Sequence, residues 1–421
     1  MRGPADHLPL VGIGLEWLIE LRTTERSQAR IKEALRDQRS VEELSQLQED
    51  RVVSKRASNP HDRLVERMRA HGLEALALVP GPNMYYVTGL SFHLSERPIL
   101  AILKTDGARA IVLPVLEAAK VTPGDGLEVF PYTDEQGPGA ALRKACDALR
   151  LGESRLGAEG LRLRLLEVQL LERYASGCRL VMAEDVLGDL RMRKEQHELE
   201  RMRSAVTATQ KGLEAFTNLI EVGATETELA SILRMELLRA GGDEIAFSPI
   251  VVAGPNAALP HATPGDRPIR AGDCIIVDCG ASVGGYIADV TRTFVIGEPD
   301  PELADIYSVV QAANRAGRGA VRPGVPAEEI DRAARQVIDH AGYGDHFIHR
   351  TGHGIGLEVH EPPYIVAGNR DLLEPGMTFT VEPGVYLPGR GGVRIEDDVL
   401  VTVDGGETLS TFPRELVRLS E

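Results

Sequence analysis

Apolar positions divide the chain into three stretches of different rhythm. Between Asp62 and Gly72, Leu64, Val65 and Met68 recur at helical spacing, and they lead into LEALALVP, NMYYVTGL, ILAILKT and ARAIVLP. Those short runs, set off by Gly, Pro and Asp, read as strands, so an α/β lobe is expected over residues 61–190. Upstream, residues 1–60 hold a short apolar segment followed by ERSQARIKEALRDQRSVEELSQLQEDR, which is rich in helix formers but poor in positions to bury. A solvated helix or a disordered arm is the expectation there. Beyond residue 190, long helical periodicity starts at LRMRKEQHELERMRSAVTATQKGLEAFTNLI, and alternating helices and strands follow to the end, which predicts a larger α/β lobe over 191–421.

Within the larger lobe, GATETELASILRMELLRAG (223–241) aligns without gaps on GVPAEEIDRAARQVIDHAG (324–342), matching Gly223 with Gly324, Glu228 with Glu329 and Arg234 with Arg335. Each segment opens on a turn glycine and closes on a glycine suited to the C′ position. Thr225 with Glu228 forms a capping box, and Pro326 suits the first helical position, N1. Strand-like runs follow both helices, so the pattern predicts two αβ halves related by a pseudo-twofold axis, with a site between them drawing residues from each.

Composition narrows the function classes. The 421 residues exceed what one core usually spans, and 43% apolar with 26% charged is ordinary for a globular protein. A net charge of -16 repels phosphate backbones and anionic membranes, which argues against nucleic acid and membrane partners. LPLVGIGLEWLIEL is interrupted by Glu16 and Glu20 and lacks a basic flank and a cleavage site, so a cytoplasmic location is expected. Four cysteines without a CxxC pair are too few for a disulfide scaffold. Cys274 and Cys279, in CIIVDCG, fall on opposite faces of a strand and read as structural.

The chemistry lies where charge is out of place. CIIVDCGASVGGYIADVTRTF reads as two strands with Asp278 on the first and Asp289 opening the second. FTVEPGVYL and GVRIEDDVLVTV set Glu382 and Glu396 in apolar strand-like runs. A carboxylate in such a run is costly unless paired or coordinated. HRTGHGIGLEVHE adds His349, His353 and His360 in a glycine-rich stretch. Four carboxylates and an imidazole on strands and turns of one lobe suit two hard or borderline divalent cations, and hence a dinuclear hydrolytic centre.

These motifs resemble the pita-bread metallopeptidases, which include methionine aminopeptidase, aminopeptidase P and prolidase. VDCGA, ADVTRTF, HRTGHGIGLEVHE, VEPGVY and VRIEDD stand in the family's order across most of residues 190–410. The Asp–Asp and Glu–Glu separations agree with the prolidase and aminopeptidase P branch. GPNMYYVTGL looks like part of the creatinase-type N-terminal domain of that branch, which methionine aminopeptidases lack. The resemblance implies that Asp278 ligates one metal and His353 the other, that Asp289 and Glu396 bridge both, and that Glu382 completes the second site. It further implies that His261 and His360 hold the scissile carbonyl, that Arg394 lies beside the site, and that His349 lies near a proline-side pocket.

The implied reaction is hydrolysis of an Xaa-Pro bond by a hydroxide bridging two metals, Mn²⁺ first and Co²⁺ or Zn²⁺ as substitutes, with Glu382 shuttling the proton. A dipeptidase must also recognise the proline carboxylate. Some compact prolidases place an arginine four residues after the second histidine of this motif; here Tyr364 stands there, and Arg370 is the nearest replacement. The expected function is a prolidase acting on dipeptides. The alternatives are aminopeptidase P, acting on longer peptides, and a non-catalytic binding protein of the same fold. A homodimer is implied by the resemblance.

Overall fold

The structure is a computed structural model that describes residues 60–122 and 126–420. The expectation for residues 1–60 therefore lies, but for Pro60, outside the described residues. In the first lobe a six-stranded mixed sheet runs Glu128–Tyr132, Arg109–Pro114, Leu100–Lys104, Ala75–Leu78, Arg155–Ala158, Arg179–Met182. Its central strands are apolar on both faces because helices cover both. Leu76 and Leu78 pack with the helices Pro60–Ala70 and Glu184–Met192, whereas Ala75 and Ala77 pack with Gly139–Ala148 and Leu165–Tyr174.

NMYYVTGL does not form a strand. Pro82–Thr88 is a helix, with proline at its first position and Gly89 in the left-handed region at φ 71° as its C-cap. Proline entry and glycine exit outweigh the β-propensity of Tyr85, Tyr86 and Val87, which the surrounding core buries wholly or in part.

The larger lobe carries two main sheets, besides a three-stranded and a two-stranded one. One runs Val417–Leu419, Val290–Ile296, Cys274–Cys279, Ile250–Ala253, and the other Glu361–Ile365, Gly352–Gly354, Thr378–Val381, Asp397–Val401, Gly406–Thr408. Helices Gln196–Thr217 and Glu226–Arg239 bury Phe216, Leu229, Leu233 and Leu237 against Val251, Ile275, Val277 and Phe294 of the first sheet. Helices Pro301–Ala320 and Glu328–His340 bury Ile330, Val310 and Ile338 against Phe379, Val381 and Val399 of the second and against Val385 and Val393 beside it. The two repeat segments are thus the equivalent helices Glu226–Arg239 and Glu328–His340.

The capping box of Thr225 and Glu228 is formed, and Gly241 and Gly342 lie in the left-handed region at φ 107° and 85°. Pro326 falls two residues before the first helical position rather than on it. Ala327 is the N-cap, and Pro326 makes a β-bridge with Leu372 instead of entering the helix. Cys274 and Cys279 join different core clusters, consistent with opposite faces, and all four cysteines are free. Among the described residues no helix is long and apolar enough to cross a membrane.

Candidate metal centre

The four carboxylates expected as ligands sit at or next to the end of a strand, and His353 sits within a strand of three residues. Asp278 is the penultimate residue of Cys274–Cys279 and pairs across the ladder with Thr291. Asp289 directly precedes Val290–Ile296. His353 is the middle residue of Gly352–Gly354, Glu382 follows Thr378–Val381, and Glu396 precedes Asp397–Val401. Two contacts lock the sheets together here. The Glu396 amide donates to the Thr291 carbonyl at 3.1 Å, and the Thr291 hydroxyl donates to Glu396 Oε2 at 2.5 Å.

Asn314, buried on Pro301–Ala320, donates to the carbonyls of Val381 at 3.0 Å and Ile395 at 3.2 Å, fixing the backbone just before Glu382 and just before Glu396. The strand carrying His353 is pressed against its neighbours. A Cβ on Gly352 would collide with the Thr380 carbonyl, and one on Gly354 with the carbonyls of Glu361 and Pro362.

These elements gather the set. Ligand atoms of Asp289, His353 and Glu396 all lie within 4.8 Å of one another. His353 Nε2 is 3.3 Å from Glu382 Oε1 and 3.8 Å from Asp289 Oδ2. Asp278, held through Oδ2 by Arg394 at 2.6 Å, repels the charges on Asp289, Glu382 and Glu396. Burial, then mutual repulsion, drives the Asp289 and Glu396 carboxyls well above the usual carboxylate range. Burial also raises Glu382, to about 7, although Arg394 pulls the other way.

The protein alone does not satisfy this cluster. Asp278 Oδ1 and Asp289 Oδ1 are buried without a hydrogen-bond partner. His353 places Nδ1 3.1 Å from the Gly354 carbonyl, which can only accept, so Nδ1 carries the hydrogen and Nε2 is a bare lone pair facing carboxylate oxygens. Burial lowers the pKa of this imidazole to about 3, which keeps it neutral. A lone pair and several carboxylates turned toward one another, with oxygens left orphaned, form a donor set that a divalent cation fits and a proton network does not.

Beside the cluster runs a hydrogen-bond chain of fixed direction. Arg394 donates to Asp278 and, at 2.9 Å, to the Tyr386 hydroxyl. Tyr386 in turn donates to His349 Nε2 at 2.9 Å, because His349 Nδ1 is committed to the Arg350 carbonyl at 2.7 Å. His349 is held neutral, its pKa lowered by burial to about 4. His360 stacks edge-on over His353 at 4.2 Å and is exposed, as is His261, which is near enough to act electrostatically on both His349 and His360.

Two neighbours of His360 are held by ion pairs, and the first of them ties its loop to the first lobe. Glu358 is gripped by Arg162 and Arg191, and Glu361 by Lys194 at 2.6 Å.

Arg370 is not brought into this assembly. Its side chain is 88% exposed, and its nearest carboxylate is Glu328 at 3.9 Å. Tyr364 is half-buried and pairs with His353 across the ladder, with the Arg350 guanidinium 4.6 Å from its ring centre. Sequence reading missed Tyr386, Thr291, Asn314 and Arg350. Arg350 stands between His349 and Thr351 in HRTGHG, and that adjacency was the available signal.

The chain is similar to known proteins over both lobes. Residues 200–403 match the model of metallopeptidase family M24, and residues 60–193 that of the creatinase/prolidase N-terminal domain. A Mycobacterium tuberculosis protein named "Probable dipeptidase PepE" is 42% identical over 355 residues, 82% of this chain and 92% of that protein. The crystal structure of a dipeptidase from Pyrococcus horikoshii superposes with a TM-score of 0.82 at 38% identity, covering 86% of this chain and all of the other. A prolidase from Thermococcus sibiricus gives the same TM-score at 34% identity, covering 86% and 98%.

Proposed function

The chain belongs to metallopeptidase family M24, and on that premise we propose that it is a prolidase, hydrolysing the Xaa-Pro bond of dipeptides. The observation that carries this reading is the bare Nε2 of His353 set among the carboxylates of Asp289, Glu382 and Glu396, with Asp278 alongside. Those five residues would hold two divalent cations, Mn²⁺ foremost and Co²⁺ or Zn²⁺ as alternatives. When bound, such ions polarise a carbonyl and supply a water activated near neutral pH.

The chain's own groups do the rest. Glu382, its carboxylate 3.3 Å from His353 at the edge of the cluster, takes a proton and delivers it to the departing proline nitrogen. His360 and His261, exposed beside the cluster, donate to the carbonyl oxygen as it gains charge. Arg394 holds Asp278 in place and, through Tyr386, keeps His349 neutral and oriented toward the proline side.

The division into an extension over 1–60, a creatinase-like lobe over 61–190 and a catalytic lobe over 191–421 belongs to the same proposal, as do a homodimer and a cytoplasmic location. The test is to incubate Mn²⁺-loaded protein with Ala-Pro, Gly-Pro and Ala-Pro-Ala. Cleavage confined to the dipeptides is the expected result. Equal release from the tripeptide would assign aminopeptidase P instead, and no release from any would refute the reading.

A further inference from the structure

A peptidase confined to dipeptides needs a cation for the substrate's terminal carboxylate, and most cations around the metal centre are already engaged. Arg394 is spent on Asp278 and Tyr386, Lys194 and Arg191 on Glu361 and Glu358, and Arg335 on Asp331 and two main-chain carbonyls. Arg370 points into solvent. Arg350 is the exception. It is half-buried, three residues before His353, and among the described residues no carboxylate pairs with its side chain. Its guanidinium lies 4.6 Å from the ring centre of Tyr364, the residue opposite His353 in the strand ladder.

A guanidinium held over an aromatic ring makes no hydrogen bond to it, so its N–H groups are left to receive a carboxylate, which they can do through two parallel hydrogen bonds. The position is also close to the chemistry, since the Arg350 charge is felt at His353, His360 and Glu382. A guanidinium with no carboxylate paired to it can take the substrate's carboxylate as its partner.

We propose that Arg350, braced on Tyr364, binds the C-terminal carboxylate of the dipeptide and so limits the enzyme to substrates that end at the proline. This rests on the prolidase reading above and names the residue that makes it a dipeptidase.

The experiment compares wild type, Arg350→Met and Arg350→Lys, each loaded with Mn²⁺ and checked for an unchanged melting profile, on Ala-Pro and on Ala-Pro amide, in which the carboxylate is neutral. Calorimetry with free L-proline supplies a readout independent of turnover. A charge-assisted pair is worth about 1.5–3 kcal/mol, so Arg350→Met should raise KM for Ala-Pro by roughly 10- to 150-fold and weaken L-proline binding by a similar factor. KM for the amide should move less than about threefold, and Arg350→Lys should fall between.

Equal losses on both substrates would mean that Arg350 acts on the cluster rather than on the carboxylate, and an unchanged KM for Ala-Pro would mean that another group binds it. Either overturns the proposal while leaving the prolidase reading intact. A wild type that cleaves neither substrate would instead refute that reading.

Discussion

Replacing Glu382 by glutamine should stabilise the metal-free protein at alkaline pH, although it removes a group on which turnover depends. Burial raises the Glu382 carboxyl from its ordinary 4.5 to about 7 in the folded state. A raised folded pKa means that the protonated form is the one folding favours. That favourable contribution is complete below pH 4.5 and is lost as pH rises through 7. At pH 8, holding the ionised carboxylate in place therefore costs about 3 kcal/mol relative to the unfolded chain.

Glutamine keeps the shape and hydrogen-bonding capacity without the charge, and it also lessens the repulsion that Glu382 exerts on Asp289 and Glu396. Thermal unfolding of EDTA-stripped wild type and Glu382→Gln should thus give coincident curves near pH 4.5. A gap should open across the interval from 4.5 to 7 and reach several degrees in favour of the variant at pH 8. Adding Mn²⁺ should reverse the order, because an ion that binds only the folded wild type stabilises it by about 4.1 kcal/mol at a thousandfold excess over Kd, more than the gap. A variant that melts with or below stripped wild type at pH 8, or a gap that does not change with pH, would refute the reasoning.

Two further outcomes follow from the surroundings of the cluster. Asp397, fully buried, is shared by Arg292, Arg318 and Arg414. Against the effect of burial, these guanidinium groups lower its carboxyl to about 2, so its stabilisation is present above 3.8 and fades as pH falls toward 2. Asp397→Asn leaves buried arginines uncompensated and should cost about 3–5 kcal/mol in urea unfolding at pH 7, with the deficit shrinking toward pH 2. Gly352→Ala drives a methyl into the Thr380 carbonyl and should part the strand bearing His353 from its neighbour. Titration calorimetry should then show at least a tenfold weaker Mn²⁺ affinity, comparable to the loss of a group that orients a ligand.

How much of this could be read from the chain varies with the physics of each residue. Asp278, Asp289, Glu382 and Glu396 stood out because a carboxylate inside an apolar strand run has few reasons to be there, and the structure gathers all four around His353. The helix pairs were legible from their caps, since Thr225, Gly241 and Gly342 act through local backbone chemistry.

What escaped depends on contacts made across the fold. Pro82–Thr88 carries β-formers but is set as a helix by its proline entry and glycine exit. Arg370 looked suitable by its distance along the chain, yet its loop faces solvent. Arg350 looked unremarkable, because nothing local reveals that Tyr364 on the next strand will lie beneath it. Asn314 is one polar residue on a long helix, and its hold on the backbone before Glu382 and Glu396 is visible only once the helix is docked.

The most direct test of the whole account is the metal content of the chain. Protein stripped with EDTA, reconstituted with Mn²⁺ and passed through a desalting column should retain two ions per chain by inductively coupled plasma mass spectrometry, while Asp289→Asn treated identically should retain at most one. Wild type that keeps no ion, or a variant that keeps as many as wild type, would contradict the claim that these carboxylates and His353 exist to hold metal.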